Sequence, residues 1–377
     1  MAVSGCANLL TSRAIDEFSR SLAEGNTEEL RELTSERFAH QALRLPEAGD
    51  DFKVLNLPKG KLTVLQTKDL AEDKKHLTVQ VGDSDEKNET LEFHLVRPPG
   101  ERRWVVDDVF VTQSKGEGAN PVTKSVTEQM DLLLTVREFL GAWSSGSRED
   151  VLAITADELR TALDGLPPTY LQQVASQTVV DVNRKTLRPE AHIDDDIAVV
   201  KLSRSRNGLM ISLARKEQRW LVTDVRSESR DGGPVTSVSE MASTLQTAVS
   251  FLNAYAANDR AAIATAADPA FDRKLAGADL TTIQLPVIAM LASQYEYLPH
   301  GDSVDLVMPH NGSKYVVSLL KQTSDKPKGL NKSATYLVSE VTIYENNSSA
   351  AKRLSALFTV NAVVEVFAKA LIARDRS

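Results

Sequence analysis

The sequence predicts an α+β protein of three tandem modules, each a helical hairpin packed on a curved antiparallel sheet, followed by a C-terminal helix. The first observation is that Trp104, Trp220 and Tyr336, each beginning a strand-like segment, recur at a spacing of 116 residues. The second is an apolar helical stripe, ending at Gly or Asn, that recurs upstream of each aromatic residue. Agreement in the same order at both ends of three segments indicates a tandem repeat.

Length and composition limit the class of protein. The 377 residues are too many for one compact core and fit about two to four domains. The net charge of −8 is spread along the chain, and no basic stripe is present to bind nucleic acid phosphates. No apolar run approaches the roughly 18 residues of a spanning helix, so no transmembrane segment is expected.

Each module should open with a helical hairpin. Apolar residues four positions apart form the buried stripe of the first helix. A Gly or Asn three residues later can adopt a positive φ and end that helix, and the next residue can cap the second helix. These positions are Phe18, Leu22, Gly25 and Asn26 in the first module, Phe139, Trp143, Gly146 and Ser147 in the second, and Phe251, Tyr255, Asn258 and Asp259 in the third.

The second half of each module predicts an antiparallel meander of about four strands. The aromatic residue begins the last of them, and turn-forming residues separate the others. Expected strands lie near 62–66, 77–81 and 93–97 in the first module, 179–182, 197–202 and 211–215 in the second, and 295–298, 304–308 and 317–321 in the third.

Polar, glycine-containing stretches at 116–120 and 231–233 separate the modules. We therefore expect a tail at 1–11, modules at 12–115, 121–230 and 234–346, and a last helix at 349–377. Phe367 follows Phe251 by the same 116 residues, so this helix should be the first of a truncated fourth module. Its apolar stripe needs cover. We expect the helix either to dock on the third module or a partner chain as an end cap, or to project as an exposed amphipathic helix because the chain is a fragment of a longer array.

A helical hairpin followed by a meander that ends on an aromatic-led strand with an acid near its middle resembles the nuclear transport factor 2-like superfamily. The strand beginning Trp104-Val105-Val106-Asp107-Asp108 carries this pattern, and the resemblance covers nearly all of each module. It implies a cone-shaped, cystatin-like fold whose sheet curls around a pocket. Enzymes of the superfamily keep acids and bases in that pocket, but no residue-by-residue match carries catalytic residues over. The resemblance is therefore informative on fold and silent on function.

Six recurring residues are the candidates for chemistry. Asp108, Asp224 and Glu340 occupy one position, and strand alternation places Asp108 on the face of Trp104 and Val106. A carboxylate inside a cone could be a base, whereas one at the rim would accept a hydrogen bond from a neighbouring loop. Trp104, Trp220 and Tyr336 could stack on a ligand or fill the core, and the core interpretation is favoured.

Metal and cofactor sites are not predicted. The six histidines lack metal-ligand spacing, and the acidic stretch 192–196 lacks the Gly and distal Glu of a calcium loop. The single cysteine, Cys6, ends Val3-Ser4-Gly5-Cys6, which fits a bacterial lipobox. This pattern predicts a lipid anchor if a basic and apolar leader precedes it.

The leading functional hypothesis is a non-enzymatic, envelope-associated or secreted bacterial repeat protein that acts as a binding or structural array. Its partner would be a protein or small ligand that the sequence does not identify. One alternative is an isomerase, cyclase or hydrolase with one active module pocket, which requires convergent polar groups that the other modules lack. Another is a cytoplasmic scaffold that dimerises through its sheets.

Overall fold

The structure, a computed structural model, describes residues 4–55, 57–82, 89–113, 122–166, 174, 189–203, 207–217, 219–229, 236–285, 295–322, 335–345 and 350–374. Contacts divide the chain into two compact units. The first comprises Met1–Phe139, Arg184–Leu202 and Arg215–Trp220, and the second comprises Leu140–Asn183, Ser203–Ala214 and Leu221–Ser377.

The strands form three antiparallel sheets of five strands, in the orders β1-β2-β3-β4-β5, β10-β9-β8-β7-β6 and β11-β12-β13-β14-β15. The first sheet contains β1 (Leu62–Ala71), β2 (Lys74–Val81), β3 (Glu89–Val96), β4 (Val105–Gln113) and β5 (Val122–Ser125). The second contains β6 (Pro189–Asp194), β7 (Ile197–Ser203), β8 (Asn207–Lys216), β9 (Arg219–Ser229) and β10 (Thr236–Ser237). The third contains β11 (Glu296–His300), β12 (Ser303–His310), β13 (Ser313–Gln322), β14 (Thr335–Tyr344) and β15 (Ala351–Arg353). The predicted α+β repeat is thus confirmed at the level of three equivalent sheets.

The helices precede the sheets in each module. The first module has α1 (Ser4–Glu24), α2 (Thr27–Glu32), α3 (Glu36–Ala42) and α4 (Ala48–Phe52). The second has α5 (Val126–Ser145), α6 (Arg148–Ala153) and α7 (Asp157–Asp164). The third has α8 (Val238–Ala256), α9 (Arg260–Ala266) and α10 (Pro269–Leu275), and α11 (Leu354–Arg374) follows its sheet.

The predicted hairpin chemistry is confirmed in all three modules. Gly25, Gly146 and Asn258 have φ values of 71°, 74° and 55°, the left-handed conformation that ends a helix. The side chains of the next residues, Asn26, Ser147 and Asp259, accept hydrogen bonds from backbone N–H groups in the first turn of the second helix.

A short parallel bridge joins the helical part of each module to its fourth strand. The bridges are Thr34↔Val106, Thr155↔Val222 and Ala267↔Val338. In each module, the backbone N–H of the next residue donates to the strand carbonyl, over 2.9, 2.9 and 2.8 Å. This repeated contact fixes the hairpin against the sheet in the same way three times.

Aromatic packing builds the first module's core between the hairpin and the sheet. Phe18 of α1 contacts Phe38 and Phe93 edge-on, with ring centroids 5.8 and 6.2 Å away. Four residues of α5, the opening helix of the second module, belong to the same buried cluster: Val126, Met130, Leu133 and Leu134. The core of one module therefore includes part of the next module's helix.

Two details differ from the sequence-based expectation. Each sheet has a fifth strand, which is built from the junction segment and leads directly into the next helix. For the same reason, Ala351–Arg353 is a strand, although a helix was predicted from 349. The predicted strand at 179–182 and the junction stretches 116–120 and 231–233 lie outside the described residues.

The predicted face of Asp108 is wrong because β4 contains a bulge. Leu95 pairs with Val106 and His94 pairs with Asp108, so Asp107 is an extra residue between them. A single inserted residue reverses the alternation of side chains. Val106 stays on the core face, and Asp108 lies on the opposite face beside His94.

Candidate functional site

The repeated carboxylates bind the first turn of the helix that opens the following module. Asp108 accepts hydrogen bonds from Ser125 Oγ at 2.7 Å, Thr127 Oγ1 at 2.7 Å and the backbone N–H of Thr127 at 3.2 Å. Its side chain is almost completely buried. A buried carboxylate at a helix N-terminus satisfies free N–H groups and interacts favourably with the helix dipole.

The other two modules repeat this arrangement. Asp224 accepts from Ser237 Oγ at 2.9 Å and from the backbone N–H of Ser239 at 3.1 Å, at the start of α8. Glu340 accepts from the hydroxyl of Ser355 and from its backbone N–H at 3.2 Å, at the start of α11. We call these three contacts the junction anchors.

The recurring aromatic residues are buried, and a basic side chain lies against them. Arg97 stacks over Trp104 and Arg215 over Trp220, each with its guanidinium carbon 4.5 Å from the ring centroid. In the third module, Lys321 pairs in register with Tyr336 across β13 and β14. All three aromatic residues are buried, and a guanidinium covers the ring in the first two modules. The alternative role of these rings, stacking on a ligand, is tested by substitution of Trp220.

Two glutamates, which the sequence analysis did not single out, form ion pairs with the basic side chains of the second and third modules. Glu128 of α5 forms an ion pair with Arg215, and Glu240 of α8 binds Lys321 Nζ at 2.7 Å. Both follow the first anchor serine, Ser125 or Ser237, by three residues. The ungapped alignment of Phe139 with Phe251 also matches Glu128 with Glu240, so extending that alignment towards the helix starts would have found them.

An open polar cleft of about 380 Å³ lies in the first unit, next to the first junction anchor. It is lined by Arg37, Gln41, Asp108, Ser125, Glu128, Asp131 and Arg215. Burial favours the neutral form of Arg37, but hydrogen bonds and charge from Asp107 and Asp108 outweigh it and raise its pKa. Arg37 Nη2 lies 2.9 Å from Asp107, and Arg215 pairs with Glu128, so both cations of the cleft are already in ion pairs.

Asp131 is a largely buried acid of the cleft, and burial raises its pKa despite the opposing charge of Arg44. Arg44 Nη1 lies 2.6 Å from Asp131, and its Nε lies 2.7 Å from Glu138. These bonds tie α5 to the residues after α3. The described residues contain no group of three or more His, Cys, Asp or Glu side chains suited to hold a metal.

Two histidines lie beside Asp108 on the outer face of the first sheet. The rings of His76 and His94 meet edge-on with centroids 4.4 Å apart. Burial and then the charge of His76 lower the pKa of His94, against smaller opposing effects of Asp108, Glu92 and Asp107. His94 therefore resists protonation in the folded protein.

The third module has two tyrosines, Tyr297 and Tyr336, at positions where the other modules have different residues. Burial raises the pKa of Tyr336 to about 12, and the negative charges of Glu240 and Asp302 add to this effect. Burial, Tyr336 and Glu240 also raise the pKa of Tyr297. Both phenols stay protonated at neutral pH, so each O–H can donate a hydrogen bond there.

The helix α11 leaves most of its apolar surface exposed. Leu354 and Phe358 are buried, whereas Val360 and every described apolar residue after it lie in solvent. Leu354–Ile372 is the one described helix whose length and composition would allow it to cross a membrane, and it is 11% buried. The expectation that the chain has no transmembrane segment therefore stays a prediction, as does lipidation of Cys6, which lies in the first turns of α1.

These sites are characterised by their geometry alone. Comparison of the chain with protein-family models, curated proteins and solved structures finds no match. The function of the chain therefore has to be inferred from the contacts of its own residues.

Proposed function

We propose that this chain is a non-enzymatic binding or structural array of tandem nuclear transport factor 2-like modules, associated with a bacterial cell envelope. The observation that carries the proposal is the set of junction anchors. Each recurring carboxylate holds the start of the following helix. This recurring acidic position thus joins each module to the helix that opens the next.

The proposed cone-shaped fold is supported by the order of the elements. A hairpin with matched caps precedes a meander, and the parallel bridge closes the hairpin onto the fourth strand. The bulges before Asp108 and Glu340 are devices that bend a sheet. A bent sheet with helices on one face is the shape that this superfamily uses.

The array proposal is tested by substituting the anchors. Asp108→Asn and Asp224→Asn should each lower the free energy of unfolding by about 1–3 kcal/mol, because buried donors lose their charged acceptor. Urea denaturation measures this change, with Asp16→Asn, an exposed carboxylate of α1, as the matched control. A catalytic carboxylate usually costs stability. Unchanged or increased stability in one anchor variant would therefore favour the enzyme alternative.

Envelope association rests on Cys6, the last residue of the lipobox pattern Val3-Ser4-Gly5-Cys6. Expressed in a bacterial host with its natural leader, the protein should sediment with membranes and incorporate a labelled fatty acid. Cys6→Ser should abolish the labelling and release the protein. Membrane association that persists in the Cys6→Ser variant would contradict the lipid-anchor proposal.

The enzyme alternative is favoured by one observation, the pair of protonated tyrosines beside the Glu240–Lys321 ion pair. Phenols of raised pKa can stabilise a developing oxyanion by hydrogen bonding. A thermal-shift screen with small carbonyl compounds tests it. A compound that stabilises the wild type but not Tyr336→Phe would support a ligand pocket in the third module.

A further inference from the structure

The cation that lies against the recurring aromatic residue has a carboxylate partner in two modules but not in the first. Arg97, Arg215 and Lys321 occupy one position in the aligned strands. Arg215 pairs with Glu128, and Lys321 pairs with Glu240. Among the described residues, no carboxylate forms an ion pair with Arg97. The first module therefore keeps the cation and lacks the acid.

The missing acid is a difference in sequence. The ungapped alignment of the opening helices places Ala7 of α1 at the position of Glu128 and Glu240. The first acid of α1 is Asp16, about two and a half turns further along the helix. Exchange of a glutamate for an alanine removes a CH2–COO⁻ group, which has the heavy atoms of acetate.

The guanidinium of Arg97 is held in place but is not satisfied. Its carbon lies 4.5 Å from the ring centroid of Trp104, the same distance that separates Arg215 from Trp220. Its Nε is buried and has no hydrogen-bond partner among the described residues. A buried charged donor without an acceptor is unfavourable, so an acceptor that reached this edge would be bound favourably.

A second cation adds positive charge at the same ring. Lys75 is 8% exposed, and its Nζ lies 5.2 Å from the centroid of Trp104. Lys75 Nζ also lies 2.9 Å from Asp69, whose side chain is 71% exposed, so solvent screens much of that carboxylate. Trp104 thus has two cations beside it and one acid near them, which favours an additional anion.

We propose that the first module binds a small carboxylate ligand at Arg97. The carboxylate takes the place that the side chain of Glu128 or Glu240 takes in the other modules, and Arg97 donates hydrogen bonds to it from the guanidinium that stacks on Trp104. The inference names a ligand class for the proposed binding array, on which it rests.

A ligand can reach this position without unfolding of the module. Arg97 is partly exposed. The equivalent cations are 31% exposed in Arg215 and 35% exposed in Lys321, although each is paired with its glutamate. A guanidinium also binds phosphate, but both occupied modules use a carboxylate, so a carboxylate is the ligand that this position fits.

An acetate titration of the full chain tests the proposal. The reporters are the Nε–H signals of the arginines in ¹H–¹⁵N correlation spectra at slightly acidic pH, where these protons exchange slowly. The signal of Arg97, assigned with Arg97→Gln, should shift saturably with acetate. It should not shift with acetamide or with sodium chloride at equal ionic strength. Arg215 already has its carboxylate, so its signal in the same spectra should stay unchanged.

A second reporter measures the affinity. The indole N–H of Trp104 should follow the same titration curve, and in Arg97→Gln the affinity for acetate should fall about 10-fold or more, because a charged hydrogen-bond donor is lost. Circular dichroism melting checks that the variant folds. An acetate affinity at Trp104 that is unchanged in Arg97→Gln would overturn the proposal.

Removal of the acid from the second module should create the same response there. In Glu128→Ala, the signal of Arg215 should shift with acetate as that of Arg97 does in the wild type. Glu149→Ala, which removes an exposed glutamate of α6, is the matched control and should leave Arg215 unresponsive. Failure of Arg215 in a folded Glu128→Ala variant to respond would contradict the equivalence on which the proposal depends.

Three further results would overturn the proposal. The first is the absence of a saturable shift at Arg97, and the second is an equal shift of Arg215 in the wild type, which would indicate non-specific binding. The third is tighter binding of inorganic phosphate, or of an acetylated triglutamate peptide, than of acetate, which would indicate a different ligand class. The array itself is tested by the stability of the anchor variants, which leave Arg97 intact, so the two proposals can fail separately.

Discussion

At the scale of single residues, one extra residue in β4, Asp107, determines which groups Asp108 contacts. The spacing of Asp108, Asp224 and Glu340 is visible in the sequence. The bulge at Asp107 is not, because an extra residue in one strand becomes apparent only when the partner strand is paired. That bulge turns Asp108 away from the core and towards the start of α5.

His94 should make stability depend on pH. Its folded-state pKa lies below the ordinary value of about 6.5, so the unfolded chain binds the proton more readily. The stabilising contribution is present above about pH 6.5 and is lost as the pH falls towards the folded pKa. Melting temperatures between pH 7.5 and 5.5 measure this loss. His94→Gln should flatten the curve, and an identical pH dependence in both proteins would contradict the prediction.

Trp220 should be a large contributor to stability. Trp220→Ala should cost about 3–5 kcal/mol in free energy of unfolding, because the ring is buried beneath Arg215. Its Nε1 makes no hydrogen bond to the described residues, so Trp220→Phe is a milder control that loses no such bond. Denaturant midpoints measure both variants. An unchanged midpoint for Trp220→Ala would restore the ligand-stacking interpretation.

At the scale of elements, local signals were sufficient for the hairpins and strands but not for the junctions. A positive-φ residue followed by an N-cap specifies its turn through its own backbone and side chain, so Gly146 and Ser147 could be assigned from sequence. The fifth strands are short, at two to four residues, and form only because β4, β9 or β14 offers a free edge. The Glu128–Arg215 and Glu240–Lys321 pairs likewise depend on distant segments.

The two halves of α11 should differ in their contribution to stability. A truncation after Thr359 keeps β15, Leu354, Phe358 and the Ser355–Glu340 anchor, so the melting temperature of the monomer should not fall. A truncation after Ala350 removes all of them and should destabilise the third module by several kcal/mol, since two buried side chains are lost. Calorimetry at low concentration compares the two. Equal melting temperatures would mean that the anchor contributes nothing.

At the scale of the whole molecule, the boundaries of the sequence repeat do not coincide with the boundaries of the packed cores. The predicted first module, 12–115, lacks the four α5 residues that complete its core. It also lacks the α5 acids that bind Arg44, and it lacks Arg137, which pairs with Asp51. The repeat was readable because copies share residue types. The packing of each core against the opening helix of the next module, which we call the interlock, could not be predicted, because it joins residues of successive copies.

This interlock predicts the behaviour of fragments. A fragment of residues 12–115 should not unfold cooperatively and should bind a hydrophobic dye, because its core is open. A fragment of residues 1–139 includes the α5 residues of that core and should unfold in one cooperative transition at a higher urea concentration. Urea titration followed by tryptophan fluorescence at Trp104 compares them. Cooperative unfolding of the shorter fragment would show that α5 is dispensable to the first core.

The interlock also constrains how such a gene could lengthen or shorten. If a module were duplicated between two existing ones, its opening helix would have to pack on two different cores. One half would contact the preceding copy and the other half its own copy, so each half would have to change to fit a different neighbour. The half around Met130 would have to co-vary with the preceding copy, and the half around Phe139 with its own copy. Each opening helix is therefore constrained by two neighbouring cores, so exchange of a whole module between such arrays should leave one half of the helix mismatched at each junction.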